Sequence, residues 1–273
     1  MESIKKALAT AGIALLSVTM LFVLVGCDSE EMKSAKEGFN GEVTRIQASY
    51  NDLQAEISTA QELVATEEIP LDDSLKPALE DAISNAKAVK FEKPVMPSGM
   101  DEIAVATEGL KDEGYDDEVQ VLKDAETALS NSIEQRKLVM APSEAFVIER
   151  LQGVDGVGEI AALTEETDPN RLLGKDGTYY AKIDYLSPFI DQTKIYGSTI
   201  AERSTDGGGS IEVFKTEADA QKRNEYLALY DGSVLHPGSH RVLGTLVIRT
   251  SDELTASQQK QLEANIIAAL IRL

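Results

Sequence analysis

The sequence predicts an α+β protein: an N-terminal antiparallel helical bundle, then a mostly antiparallel sheet packed with helices. Three observations predict it. Apolar residues recur at helical spacing from Met32 to about Val139. After Pro142 the pattern changes to alternating runs, interleaved with short amphipathic helices. Ala141-Pro142-Ser143 separates the two regimes, because Pro142 ends one helix and Ser143 can cap the next.

The elements follow in order. Lys5 and Lys6 precede an uncharged apolar run from Ala7 to Val25, which ends in Leu24-Val25-Gly26-Cys27. This resembles the signal and lipobox of bacterial lipoproteins. The resemblance implies a diacylglycerol on the Cys27 sulfur and cleavage between Gly26 and Cys27. It also implies a mature protein held on the outer face of the cytoplasmic membrane through that lipid. The alternative is an uncleaved transmembrane helix, since ~19 apolar residues just suffice to span a bilayer. Cys27 is the only cysteine in the chain, so no intrachain disulfide forms. The expected division is therefore 1–26 signal peptide, 27–141 lipidated tether and helical bundle, and 142–273 α+β domain.

From Met32 to about Ala65, Phe39, Val43, Ile46, Tyr50, Leu53, Ile57, Ala60 and Val64 alternate four- and three-residue spacings. That seam predicts a helix of roughly 50 Å facing a partner helix. Gly38 and Gly41 weaken its start. A second helix carries Leu75, Leu79, Ile83 and Ala86, with Pro77 tolerated in its first turn. A third runs from Met100 to Leu110. A fourth runs from Asp116 to about Val139, with acids at its positive end. Each has one apolar stripe, so an intramolecular bundle is favoured over a homodimeric coiled coil.

In the second part, Phe146, Val147 and Leu151 mark a short helix, and Glu159–Thr164 a strand. Over Thr178–Ser187, Tyr179, Ala181, Ile183 and Tyr185 point one way while Tyr180, Lys182, Asp184 and Leu186 point the other. Ser210–Lys215 is a strand. Thr216 and Asp219 open a helix, Arg241–Thr250 is read as one strand, and Thr255 and Gln258 open the last helix.

Leu75 to Ile133 loosely resembles the FIVAR helical modules of Gram-positive surface proteins, on Leu79, Ile83, Asn85-Ala86-Lys87-Ala88-Val89 and Gly114-Tyr115. That resemblance implies a spacer or ligand-binding module. Residues 143–273 resemble a domain recurring in surface lipoproteins of Gram-positive, notably actinobacterial, species. The similarity rests on the run Thr205 to Phe214, on Asp219 to Leu227, and on Gly238-Ser239-His240-Arg241-Val242 with Val247-Ile248-Arg249-Thr250-Ser251. It implies location and modularity and supplies no chemistry.

The chain carries 47 acidic and 26 basic residues, a net charge of -21. Such a surface is repelled by nucleic acid, so nucleic-acid binding is excluded. Tryptophan is absent, which weakens a sugar-binding reading, although eight tyrosines remain. Only His236 and His240 are available as catalytic bases, and no Gly-x-Ser-x-Gly elbow is present. Pro237 and Gly238 turn the chain between the two histidines, so they do not form a helical metal pair. Asp206-Gly207-Gly208-Gly209 precedes a strand instead of opening a helix, so it reads as a connection, not a phosphate loop. The long segment Pro188–Thr205 is where a binding surface is expected, on Tyr196, Arg203, Ser204, Thr205 and Asp206.

These features imply no catalytic residue, metal or cofactor. The expected function is that of a non-enzymatic envelope lipoprotein, binding or scaffolding another envelope protein or a cell-wall component. The alternatives are a cell-envelope hydrolase using paired carboxylates and the substrate-binding lipoprotein of a transporter.

Overall fold

The computed structural model describes residues 29–233 and 237–273. Gly26, Cys27 and His236 lie outside them. Among the described residues the elements are α1 (Glu30–Val64), α2 (Leu75–Ala88), α3 (Met100–Leu110), α4 (Asp116–Leu138), α5 (Glu144–Leu151), β1 (Ile160–Ala162), β2 (Ala181–Leu186) and α6 (Ile200–Arg203). A 3-10 turn, Ser204–Gly207, leads into β3 (Gly208–Val213), α7 (Glu217–Ala228), β4 (Ser239–Leu243), β5 (Leu246–Thr250) and α8 (Ala256–Leu270). The class is α+β, with helices first and an antiparallel sheet in the C-terminal part.

The chain forms two compact units. The described part of the first joins 29–45 to Lys93–Glu113, and the second comprises Ile46–Glu92 and Gly114–Leu273. No division falls at Ala141. In the first unit, Arg45 Nη2 donates to the carbonyls of Leu110, Lys111 and Glu113 at 2.6, 3.1 and 2.9 Å. A cation thus satisfies the orphan carbonyls at the end of α3.

In the second unit, Leu53, Ile57 and Ala60 of α1 pack with Leu79, Ile83 and Ala86 of α2 and Leu122, Leu129 and Ile133 of α4. These are the stripes that the helical spacing places on single faces. α4 also continues into the next core: Val139 is buried with Val147, Leu151, Ile183, Ile211, Ile248, Leu262, Ile266 and Leu270. The Val139 carbonyl accepts from Thr245 N at 3.0 Å and Thr245 Oγ1 at 3.1 Å, and Ala141 N donates to Thr245 Oγ1 at 2.7 Å. Across the same junction, Arg136 Nη2 meets Glu217 Oε2 at 2.6 Å.

The sheet order is β1-β2-β3-β5-β4, antiparallel throughout. One face, bearing Ala181, Ile183, Tyr185, Ile211, Val213, Leu246 and Ile248, packs against α5 and α8. Under α7 lies a second apolar cluster of Leu173, Tyr179, Phe214, Ala220, Leu227 and Val247. The caps expected at Ser143, Thr216 and Thr255 all form, each accepting from the backbone N–H three residues on.

Three local expectations need correction. Arg241–Thr250 is a hairpin of two strands, β4 and β5, turned at Gly244-Thr245; Gly244 has φ 57°, which suits a two-residue turn. Val242 therefore pairs with Val247, while Leu246 and Ile248 lie on the other face. The glycine run is not a connection, because Gly208 and Gly209 pair with Leu186 and Tyr185 inside β3. A β-carbon at Gly209 would fall on the Tyr185 hydroxyl and the Arg249 carbonyl, so only glycine admits that ring. Finally, β2 starts at Ala181, so strict alternation does not extend back: Tyr179 packs under α7, and Tyr180 joins the opposite core.

Candidate functional site

The alternation of β2 and β3 places Lys182, Asp184, Ser210 and Glu212 opposite the apolar face. Register sets Lys182 across from Glu212, Asp184 across from Ser210, and Ser210 across from Arg249. All are buried: Lys182, Asp184, Ser210 and Glu212 are 0% exposed and Arg249 9%. Burying an unpaired charge is costly, so the arrangement stands only if the charges satisfy one another.

They do so as two linked groups. Glu212 accepts from Arg223 Nε at 2.7 Å and Nη2 at 2.8 Å, and from Arg249 Nη1 at 3.4 Å. Burial pushes the Glu212 carboxyl up, but the Arg223 hydrogen bonds and the charges of Arg223, Arg249 and Lys182 hold it below its ordinary value. Lys182 Nζ lies 3.4 Å from Asp184 Oδ1 and 3.7 Å from Asp168 Oδ1. Asp168 in turn accepts from the backbone of Leu172 (2.8 Å) and Leu173 (3.0 Å) and from the Tyr179 hydroxyl (2.8 Å). Burial opposes its ionisation; the Leu172 N–H, Tyr179, the Leu173 N–H and Lys182 outweigh it and lower its pKa. Asp184 is different. Neither of its oxygens accepts an aligned hydrogen bond. Burial pushes it up to about 6, against the pull of Lys182.

The structure divides the residues expected to form a binding surface. Ser204 Oγ accepts from Lys182 Nζ at 3.1 Å, and Thr205 Oγ1 lies 3.5 Å from Ser210 Oγ, so both fold onto the buried polar face. Ser204 has φ 47° and ψ -134°, a strained backbone for a non-glycine residue. Arg203 Nε donates to the Gly197 carbonyl at 3.1 Å and holds the loop on itself. Asp206 is exposed, and its carbonyl accepts from Ser251 Oγ at 2.8 Å. Tyr196 is 94% exposed and makes no part of this cluster. Ser204 beside an amine invites a nucleophile reading, but Lys182 is the donor in that contact. Activation of a serine needs the reverse. His240 is not a loop residue; it lies in β4, its Nδ1 2.8 Å from Asn224 Oδ1.

The concave surface next to the charge cluster was not legible as a site. A groove of about 520 Å³ runs along α7, lined by Asn170, Thr178, Tyr179, Phe214, Asp219, Lys222, Arg223 and Tyr226 among others. Phe214 and Tyr179 meet edge to face at 5.9 Å. The Arg223 guanidinium lies 5.6 Å from the ring centroid of Tyr226, whose ring is 5.4 Å from that of Tyr230. Arg223 is held from beneath by Glu212, and Tyr179 by Asp168, so the walls are fixed by buried carboxylates. The only sequence signal was the pair Lys182 and Asp184 within an otherwise apolar strand.

Among the described residues no group of three His, Cys, Asp or Glu side chains could hold a metal, and no helix is long and apolar enough to cross a membrane. No family model matches the chain, and neither a curated protein nor a solved structure matches it.

Proposed function

We propose that the chain is a lipid-anchored, extracytoplasmic binding protein whose α+β part holds its ligand in the groove along α7. The observation that carries the binding assignment is the clamped guanidinium. Arg223 opens on a 520 Å³ concavity, while its Nε and Nη2 are fixed by the buried Glu212. Ligand sites are typically concave, of a few hundred Å³, and mix apolar walls with a few placed polar groups. The anchor is supported by Lys5, Lys6, the apolar run and Leu24-Val25-Gly26-Cys27. The resemblance of residues 143–273 to a surface-lipoprotein domain supports the same location. The partner is then a cell-wall component or another envelope protein.

Two experiments test this. Metabolic labelling with a fatty acid is expected to mark the chain and to be lost in Cys27→Ala; a variant that stays labelled removes the anchor. A photo-crosslinking residue at Lys222 is expected to give envelope adducts that one at Gln261, on α8, does not. Equal adducts at both sites would remove the groove.

A further inference from the structure

Resting on that reading of the groove, we infer that its ligand is a saccharide unit bearing a carboxylate. The charge comes first. In a chain of net charge -21, two adjacent cations line this concavity. Lys222 is exposed and makes no ion pair or hydrogen bond among the described residues. Arg223 commits Nε and Nη2 to Glu212, which leaves Nη1 for a further acceptor. The one carboxylate in the lining, Asp219, turns its Oδ2 into the cap of α7, where it accepts from Thr216 Oγ1 at 2.6 Å, and the two cations outnumber it. An anion entering the groove therefore meets uncommitted N–H donors. Charge-assisted hydrogen bonds of this kind are the strong ones.

The rest of the lining fits a sugar ring. Tryptophan is absent from the chain, but Tyr226, half exposed, forms the lip of the groove against Tyr230, with Tyr179 buried behind the wall. A tyrosine lip offers an apolar face with a polar tip to the C–H face of a pyranose. Asn170 directs one amide N–H to the Tyr179 hydroxyl at 3.3 Å, and its carbonyl oxygen makes no hydrogen bond within the described structure, so it can accept from a ligand hydroxyl. The volume suits one or two rings.

The test is saturation-transfer NMR on the purified full chain with D-glucuronate, and with D-glucose as its uncharged counterpart. Glucuronate is expected to bind at least tenfold more tightly than glucose. Lys222→Glu should erase that ratio, and Tyr226→Ala should weaken both sugars; circular dichroism checks that the variants fold. Both side chains are on the surface, whereas replacing Arg223 would strand Glu212. A ratio near one in the unmodified chain overturns the carboxylate assignment and leaves the groove standing. A ratio that survives Lys222→Glu overturns it too. If neither sugar is saturated, or if Tyr226→Ala changes nothing, the sugar assignment fails. Adducts at Lys222 in the crosslinking experiment then decide whether the groove fails with it.

Discussion

Asp184 and Glu212 lie on neighbouring strands, equally buried, and their carboxyls shift in opposite directions. Glu212 has two guanidinium partners, so it stays ionised. Truncating it to Ala leaves Arg223 and Arg249 facing each other without a counter-charge. The expected cost is ~3–5 kcal/mol, read as a lowered urea midpoint at unchanged slope. Asp184 has the ammonium of Lys182 and a weaker pull from Arg249, which burial overcomes, and its pKa rises from 3.8 to about 6. The folded chain thus holds that proton more tightly than the unfolded one. This contribution to stability is present below about pH 4, lost as pH rises to about 6, and constant above. Asp184→Asn should flatten that window and raise the melting temperature above it. A steeper profile in the variant would contradict this assignment. Glu126 extends the same downward trend to higher pH. Burial, then Glu56 beside it, lifts its carboxyl to about 7. Glu126→Gln should remove the remaining slope between about pH 5 and 7.

At the scale of elements, much was legible because local chemistry decides it. The stripe of α1, the first-turn place of Pro77 and the caps at Ser143, Thr216 and Thr255 depend on residues close in sequence. What was missed depends on partners far away. The period-two pattern of 241–250 does not reveal a two-residue turn at Gly244-Thr245 whose position is fixed by Val139. The glycine run reads as a connection until Tyr185 is seen to fill the space above Gly209. Likewise Lys182 and Asp184 mark an unusual strand, but Arg223 and Asp168 cannot be assigned to them from spacing. Gly209→Ala tests the close approach. The methyl must displace the Tyr185 ring or break the pairing of β3 with β5, at an expected cost of more than ~3 kcal/mol. Gly153→Ala is a poor control because of its positive φ, so Gly41→Ala, mid-helix with open space around it, is the better one; it should stabilise slightly.

At the scale of the whole molecule, the proline at 142 marks a change of pattern, and packing and hydrogen bonds continue across it. Val139 is in the sheet's core, Thr245 is held by its carbonyl, and Tyr180 Oη donates to the Pro142 carbonyl at 2.7 Å. α4 and the sheet should therefore unfold as one. Fluorescent labels placed on α4 and on β5 should report the same urea midpoint; separated midpoints would show that 141 divides independent bodies.

The cluster of Lys182, Asp184, Glu212, Arg223, Arg249 and Asp168 also constrains how this sequence could change. Asp184 apart, any one of these residues replaced alone leaves a charged partner stranded in the interior, so most single steps away from the present set are closed. Matched apolar replacements are not, since swapping a whole buried ion pair for well-packed hydrocarbon is often neutral. Routes to a descendant with a greasy sheet face run through compensated changes that replace Lys182, Asp184 and Asp168 together, and a descendant that took that route would also free Ser204 from the strand beneath it.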